Sequence, residues 1–465
     1  MSETDAVDVS LEEMDKQSHL HPFTSLADHL KTGPKVMLEG QGVMVRDNHG
    51  NEYIDSMAGL WCVNVGWGRE EIVSAISEQA RQLAYYHSFA SMANEPAIQL
   101  ADRLMHIAPG RMSKVFFGNS GSDANDTNVK LVWYYNNLRG KPDKKKIIAR
   151  RRAYHGVTVA SASLTGLDMV HNAFDLPLPN ILHTDTPHYY RYAEPGMSER
   201  EYSKQLADSL EQLILKEGHA TVAAFIAEPV MGAGGVIVPP EGYFEEIQPI
   251  LRKYDILMIA DEVICGFGRC GTWFGSELFG IEPDIVTVAK GLTSGYVPMS
   301  GSLISGELWE VLVGGTAEVG AFGHGFTYSA HPLAAAAALA NLDIIEKEQL
   351  PARAQKVGTY FQQQLRAKIG PHPLVGEVRG VALIAAVELV KDRATKQPFP
   401  LDLKIGPRMA KLCMDEGLIT RALPQINALS FSPPLVITEA ECDEVVARFG
   451  RALDQLADEL VREGS

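Results

Sequence analysis

A lysine that closes a continuous apolar run is out of place unless it reacts or is paired. Lys290 stands at the end of Asp284-Ile-Val-Thr-Val-Ala-Lys-Gly291. Lysine is among the side chains least often buried, and a desolvated lysine can lose its proton near neutral pH and condense with a carbonyl to a Schiff base. A second run, Ile259-Ala-Asp-Glu-Val-Ile264, brings Asp261 to the carboxyl end of a candidate strand, where open α/β sheets place their ligands. A carboxylate there needs a cationic or hydrogen-bonding partner, and a protonated pyridine nitrogen is one. A third stretch, Phe116-Phe-Gly-Asn-Ser-Gly-Ser-Asp-Ala-Asn125, runs a strand into residues 119–122 and opens a helix at Ser122 or Asp123. Free N–H groups and the positive helix end would face an anion, naturally a phosphate. Each has a plain reading when taken singly: a lysine snorkelling at a sheet edge, a structural salt bridge or N-cap, a well-capped helix. Together, a phosphate seat, a pyridinium carboxylate and a Schiff-base lysine are the parts of a pyridoxal 5′-phosphate (PLP) site.

These three loops need a scaffold that delivers strand ends to one place. Between residues 70 and 330, short apolar runs alternate with amphipathic helices. The candidate strands are 114–117, 146–149, 223–227, 257–260, 285–289 and 301–305, continuous as expected for strands buried on both faces of a mainly parallel sheet. In the helix expected over 199–216, Tyr202, Leu206, Leu210 and Leu213 recur at helical spacing. The stretch 40–53 alternates around Asn48-His-Gly-Asn51 and predicts a β-hairpin. A long Ala-rich helix from Pro332 to about Lys347 leads out of the first unit. Fresh strands follow at 378–389 and 428–431. The last helix carries Val446, Phe449, Leu453, Leu456 and Leu460 on one stripe. The fold class expected is α/β, with a large mainly parallel sheet and a smaller α+β unit. The divisions expected are 1–69 as an N-terminal segment packing with the small domain, 70–335 as the large domain and 336–465 as the small one. About the first twenty residues, polar and acidic, are expected to be mobile.

Composition narrows the function classes. The net charge of −16, from 42 basic and 58 acidic residues, leaves no basic excess for nucleic acid. The longest apolar run, 332–339, is too short to span a bilayer. The acidic start Met1-Ser-Glu-Thr-Asp5 is unlike a basic leader, so a cytoplasmic location is expected. The five cysteines are scattered and predict buried thiols rather than disulfides. Cys265 and Cys270 lack partners for a zinc set, and no metal site is expected.

The chain resembles the class III aminotransferases, a branch of the aspartate-aminotransferase-fold PLP enzymes. The resemblance runs from about His21 to about Val436. It is carried by GLWCVNVGWG (59–68), FFGNSGSDAND (116–126), RRAYHGVT (151–158), FIAEPVMGAGG (225–235), IADEVICGFGR (259–269), TVAKGL (287–292) and HGFTYSAHP (324–332). It implies that Lys290 holds PLP as the Schiff base and that Asp261 keeps the pyridine nitrogen protonated. Val263 would pack under the ring and Tyr154 over it. Ser120, Gly121 and Ser122 would hold the phosphate, and Glu228 would lie on the cofactor and substrate side. Phe326 and Thr327 would reach the phosphate of a neighbouring subunit, making a homodimer with shared sites, or a tetramer of such pairs. Tyr154 could equally be a core aromatic, and Thr327 could cap the 332–347 helix.

On the substrate side, Trp61 and Phe89 resemble the aromatic walls of amine–pyruvate (omega) transaminases, with Phe23 as a further wall. Arg421, in Leu418-Ile-Thr-Arg421, matches an arginine that turns inward for a carboxylate and outward for an apolar amine; a surface salt bridge is its plain reading. Ala233, in Gly232-Ala-Gly-Gly235, leaves room for a larger amine substituent. The activity implied is ping-pong transfer of an amino group from a primary or omega-amine to a keto acid such as pyruvate. Aminomutases and a decarboxylating transaminase share the same lysine, and a non-catalytic ligand-binding α/β protein is the alternative outside the family.

Overall fold

A computed structural model describes residues 9–464 of the chain. Three short strands come first: β1 (Met37–Gln41), β2 (Met44–Asp47) and β3 (Glu52–Asp55), paired antiparallel in that order. The 40–53 stretch is therefore the second half of a three-stranded meander rather than a lone hairpin. Its turn is held by Asp47, whose Oδ1 accepts the N–H groups of His49 and Asn51 at 3.0 and 2.9 Å. The mobile N-terminus expected over about residues 1–20 is corrected in part. Leu11–Ser18 is a helix capped by Ser10, and positions 1–8, with the acidic start, lie outside the described residues.

The apolar runs form one seven-stranded sheet: β4 (Met112–Gly118), β5 (Lys146–Arg150), β6 (Ile181–Thr184), β7 (Val222–Ala227), β8 (Leu257–Asp261), β9 (Ile285–Val288) and β10 (Ser300–Ser305), in the order β4-β10-β9-β8-β7-β5-β6. All neighbours pair in parallel except β10, which runs against both β4 and β9. Every residue of β7, β8 and β9 is buried, which is why their sequences read as unbroken apolar runs. The edge strand β6 was not predicted; four residues with only their ends buried carry too little pattern to stand out. The Glu199–Glu217 helix starts on a capping box between Ser198 and Glu201 and buries Tyr202, Leu206 and Leu210 against β5 and β7.

Beyond the Pro332–Lys347 helix, the stretch read as one strand over 378–389 is a hairpin, β11 (Val375–Val381) and β12 (Ile384–Leu389). The chain reverses at Ala382, whose φ of 44° lies in the left-handed region. Two further short strands, β13 (Leu418–Ile419) and β14 (Arg421–Ala422), precede β15 (Ala428–Phe431). The hairpin continues into β15 and β14, while β13 pairs in parallel with β3. The final helix, Glu439–Glu463, begins at the Thr438–Glu441 capping box and buries the stripe Val446, Phe449, Leu453, Leu456 and Leu460. No helix among the described residues is long and apolar enough to cross a membrane.

Candidate active site

Five loops leave the carboxyl ends of β4, β5, β7, β8 and β9 and meet around one cavity of about 380 Å³, the position an open parallel sheet offers a ligand. They contribute Asn119–Ser122, Tyr154 with His155, Glu228 with Ala233, Asp261 with Val263, and Ala289 with Lys290; Phe23, Trp61, Cys62 and Arg421 complete the walls. A larger cavity of about 890 Å³, lined by Arg151, His183 and Tyr202 among others, includes none of the predicted residues. The smaller one has the converging chemistry.

Lys290 enters through a tight turn. Its φ of 45° is left-handed, a conformation that costs a non-glycine residue roughly 1–3 kcal/mol and persists only where the surroundings hold it. Asn341, on the Pro332–Lys347 helix, provides that hold: its Nδ2 donates to the Gly291 and Leu292 carbonyls at 2.8 and 2.9 Å. Gly291 must lack a side chain, because a Cβ would stand 2.6 Å from Asn64 Nδ2. Burial pulls the Lys290 ammonium below its ordinary value, against the opposing pull of Cys62 and Asp261. Nζ sits 5.5 Å from the Trp61 ring centroid, and the Arg421 guanidinium lies 5.2 Å from the same ring.

Asp261 is buried, and two neighbours orient it. Its Oδ2 accepts hydrogen bonds from Asn125 Nδ2 at 2.9 Å and from His155 Nδ1 at 2.7 Å, while Oδ1 accepts the Val263 N–H at 3.1 Å. Asn125 is itself fixed by the His155 carbonyl and by Thr287 Oγ1, and Thr287 is the register partner of Asp261 across β8 and β9. The sequence reading assigned no role to Asn125, His155 or Thr287, although all three lie inside quoted motifs. A polar residue within a buried run was the available signal.

The anion seat is refined. The helix over Gly121–Leu138 begins at Gly121 with Ser120 as its N-cap, not at Ser122 or Asp123. Ser120 Oγ accepts from Asp123 N–H, and Asp123 answers from Ser120 N–H, so the Ser120 hydroxyl serves the cap. Ser122 Oγ accepts from Val157 N–H at 3.1 Å and keeps its own proton to donate. The N–H groups of Gly121 and Ser122 have no partner among the described residues and stand at the positive end of an 18-residue helix. A Cβ on Gly121 would come within 3.1 Å of Val263; its absence preserves the cradle. An oxyanion at this end and a lysine at the other fit PLP.

Glu228 is buried and holds the walls together: Oε1 accepts Tyr154 N–H at 3.1 Å and Oε2 accepts Gly232 N–H at 2.8 Å. Burial pushes its carboxyl upward. Tyr154 is half-buried in the cavity wall, and the Phe23 ring lies 6.4 Å from it, tilted by 56°. Arg421 sits on β14, paired with Ser430 of β15, rather than on a loop. It makes no ion pair among the described residues, so the salt-bridge reading falls. Burial also draws its guanidinium below the ordinary value.

Three predicted residues stay outside the cavity of their own chain. Phe89, expected as a wall, is 48% exposed and lies against Gly325, where a Cβ would come 3.1 Å from its ring. Phe326 packs edge-to-face with Phe116 and His324. Thr327 is exposed, and its carbonyl accepts from Tyr85 Oη. The 332–347 helix is capped by His331, not Thr327. In the other direction, Cys62, read simply as a buried thiol, is half-buried and lines the cavity.

The fold and these groups define an enzyme that handles a carbonyl cofactor with a lysine, an acid and an anion cradle. The family model for class III aminotransferases matches residues 28–453, and the chain belongs to that family. It is 54% identical over 464 residues to an aminotransferase of Sinorhizobium fredii, covering 99% of each. It is 51% identical over 455 residues to a diaminobutyrate–2-oxoglutarate transaminase of Halomonas elongata, covering 97% of each. An omega transaminase of Pseudomonas jessenii, solved with pyridoxamine phosphate, superposes with a TM-score of 0.95 at 51% identity, over 97% of this chain and 98% of that one. The protein is therefore a PLP-dependent transferase that moves an amino group between an amine and a keto acid.

Proposed function

We propose that this aminotransferase takes the amino group of a primary amine, including amines without an α-carboxylate, and passes it to a small keto acid such as pyruvate. The observation that carries the reading is the Trp61 wall, with Lys290 near its ring and an arginine, Arg421, that has no ion-pair partner among the described residues. Most of the remaining substrate side, Phe23, Leu60, Ala233, Ile264 and Val297, is apolar. An apolar amine needs such walls, and a keto acid needs one cation for its carboxylate.

Asn125 and His155 orient Asp261, which would face the pyridine nitrogen. Gly121 and Ser122 would receive the phosphate on their N–H groups, and Val263 and Tyr154 would bracket the ring. PLP supplies an electron-accepting ring over which the charge left by a broken C–H bond can spread. Lys290 is the residue that would hold the cofactor's carbonyl carbon. Its Nζ, favoured as the free base by burial, is then the group placed to carry the substrate proton.

Among the described lining residues, Arg421 and Lys290 are the only arginine or lysine. That favours a monocarboxylate acceptor over 2-oxoglutarate, which would ask for a second cation. We further propose a homodimer in which the exposed Phe89, Tyr328 and Thr327 complete the partner's site; single-chain exposures of 48% and 59% for Phe89 and Tyr328 support it. The test is a panel of donors (1-phenylethylamine, 4-aminobutyrate, 2,4-diaminobutyrate) against pyruvate and 2-oxoglutarate, following ketone and amino-acid products. Pyruvate with the arylalkyl amine should be the productive pair. Turnover confined to omega-amino acids with 2-oxoglutarate refutes the proposal.

A further inference from the structure

The N-terminal segment holds a second cluster of ligating side chains, separate from the cavity. Asp15 lies on the Leu11–Ser18 helix, His19 just beyond its end, His21 in the following link and His29 on the Leu26–Thr32 helix. All three imidazoles turn a nitrogen to the Asp15 carboxylate: His19 Nδ1 to Oδ2 at 3.1 Å, His21 Nε2 to Oδ1 at 2.9 Å, and His29 Nε2 to Oδ1 at 2.9 Å. The rings crowd together, with centroids 4.2 Å apart for His19 and His21 and 4.3 Å for His21 and His29. Donor atoms of Asp15, His19 and His21 all lie within 4.8 Å of one another; His29 stands outside that group and reaches only the Asp15 carboxylate. No lysine or arginine pairs with Asp15 among the described residues. The other such group, His188 with Glu377 and Glu388, differs there: Arg379 and Arg191 already neutralise Glu388, and a metal cation would be repelled.

Two imidazoles and one carboxylate, with a fourth position open to water, are a ligand set for a transition-metal dication. Around tetrahedral zinc, with Zn–N near 2.0–2.1 Å, neighbouring ligand atoms stand roughly 3.3 Å apart. The oxygen-to-nitrogen spacings here need only a few tenths of an ångström of expansion. Without a metal, one carboxylate must serve three crowded rings; with one, His19 and His21 gain direct bonds and the carboxylate is left to His29 and the ion. We propose that Asp15, His19 and His21 form a binding site for a zinc-class divalent ion, with His29 holding the Asp15 carboxylate in place. The ion, together with the Asp15–His29 contact, would close the loop from residue 15 to residue 29. Phe23, which reaches the wall of the active-site cavity beside Tyr154, lies within that loop. This departs from the sequence expectation of no metal and does not depend on the substrate reading.

The test titrates Zn²⁺ into the PLP-loaded full chain by calorimetry, with Co²⁺ as the spectroscopic probe. One ion per chain should bind. The paired change His21→Ala/His29→Ala should weaken binding by more than about 100-fold, beyond what loss of a supporting partner alone costs. His19→Ala, at the most exposed ligand, serves as a variant whose folding is not at issue and should also weaken binding. The cobalt spectrum should show d–d bands without a thiolate charge-transfer band. Absence of stoichiometric binding, binding unchanged in His19→Ala, or a thiolate band pointing to Cys62 would each overturn the proposal.

Discussion

Replacing Arg421 with alanine separates the two halves of the reaction. The guanidinium is half-buried, unpaired among the described residues, and 5.2 Å from the Trp61 ring centroid. Its removal leaves no partner charge stranded and costs the fold only about 0.5–1 kcal/mol of cation–π contact. The keto acid loses much more. Two charge-assisted hydrogen bonds to a carboxylate are worth roughly 1.5–3 kcal/mol each, and partial solvent access reduces their sum. A net loss of about 2–4 kcal/mol corresponds to a fall of roughly 30- to 900-fold in kcat/KM for pyruvate. An uncharged arylalkyl amine makes no such pair, and its half-reaction should change by less than about threefold. Single-turnover stopped-flow on the cofactor's absorbance measures each half in isolation, with L-alanine expected to follow pyruvate. An equal fall in both halves would show that Arg421 supports Trp61 or the cofactor. No change in the pyruvate half would show that the carboxylate is held elsewhere. Either result refutes the reasoning.

Further outcomes follow from the geometry. Lys290→Met should abolish turnover while leaving the fold intact, and borohydride reduction of the native protein should label Lys290 alone. Because burial lowers the folded-state value of Lys290 below the ordinary 10.5, the unfolded chain binds that proton more tightly. The cofactor-free native protein should therefore gain stability, relative to Lys290→Met, as pH rises through the lowered value toward 10.5; a Tm difference flat with pH over that window would contradict it. Asp261→Asn should retain PLP but lose on the order of 100-fold or more in turnover, as loss of a preorganised charge does. His155→Ala should lower turnover less and alter its pH profile, because it removes one of the two donors that hold Asp261 Oδ2. Near-native turnover in Asp261→Asn would leave that carboxylate a purely structural role.

Much of this was legible in the residues because burial on both faces writes itself into sequence. β7, β8 and β9 appear as apolar runs, so Asp261 and Lys290 stood out as the charged residues at their ends. The stripe of the last helix was equally local. Elements with weak local signals were missed or misjudged: β6, with only two buried residues, and the 378–389 stretch, whose reversal at Ala382 uses a residue without turn character. The start of the Gly121–Leu138 helix was misplaced by one or two residues because Gly121, Ser122 and Asp123 all suit the first turn, and only the reciprocal Ser120–Asp123 bonds decide among them.

Local sequence carried the chemistry on offer: a lysine, an aspartate and a glycine- and serine-rich loop that opens a helix, each at the end of its own element, and the family they resemble. Only the tertiary structure decided which side chains act on one another. Asn125, His155 and Asp261 are separated by up to 136 positions yet share one carboxylate, and Asn341 supports the Lys290 turn from a helix some fifty positions on. It also placed Arg421 on a strand over Trp61 and left Phe89 and Thr327 outside their own chain's cavity. Such pairings depend on strand order and register, which arise from the packing of the whole chain and leave no mark in any local run of residues.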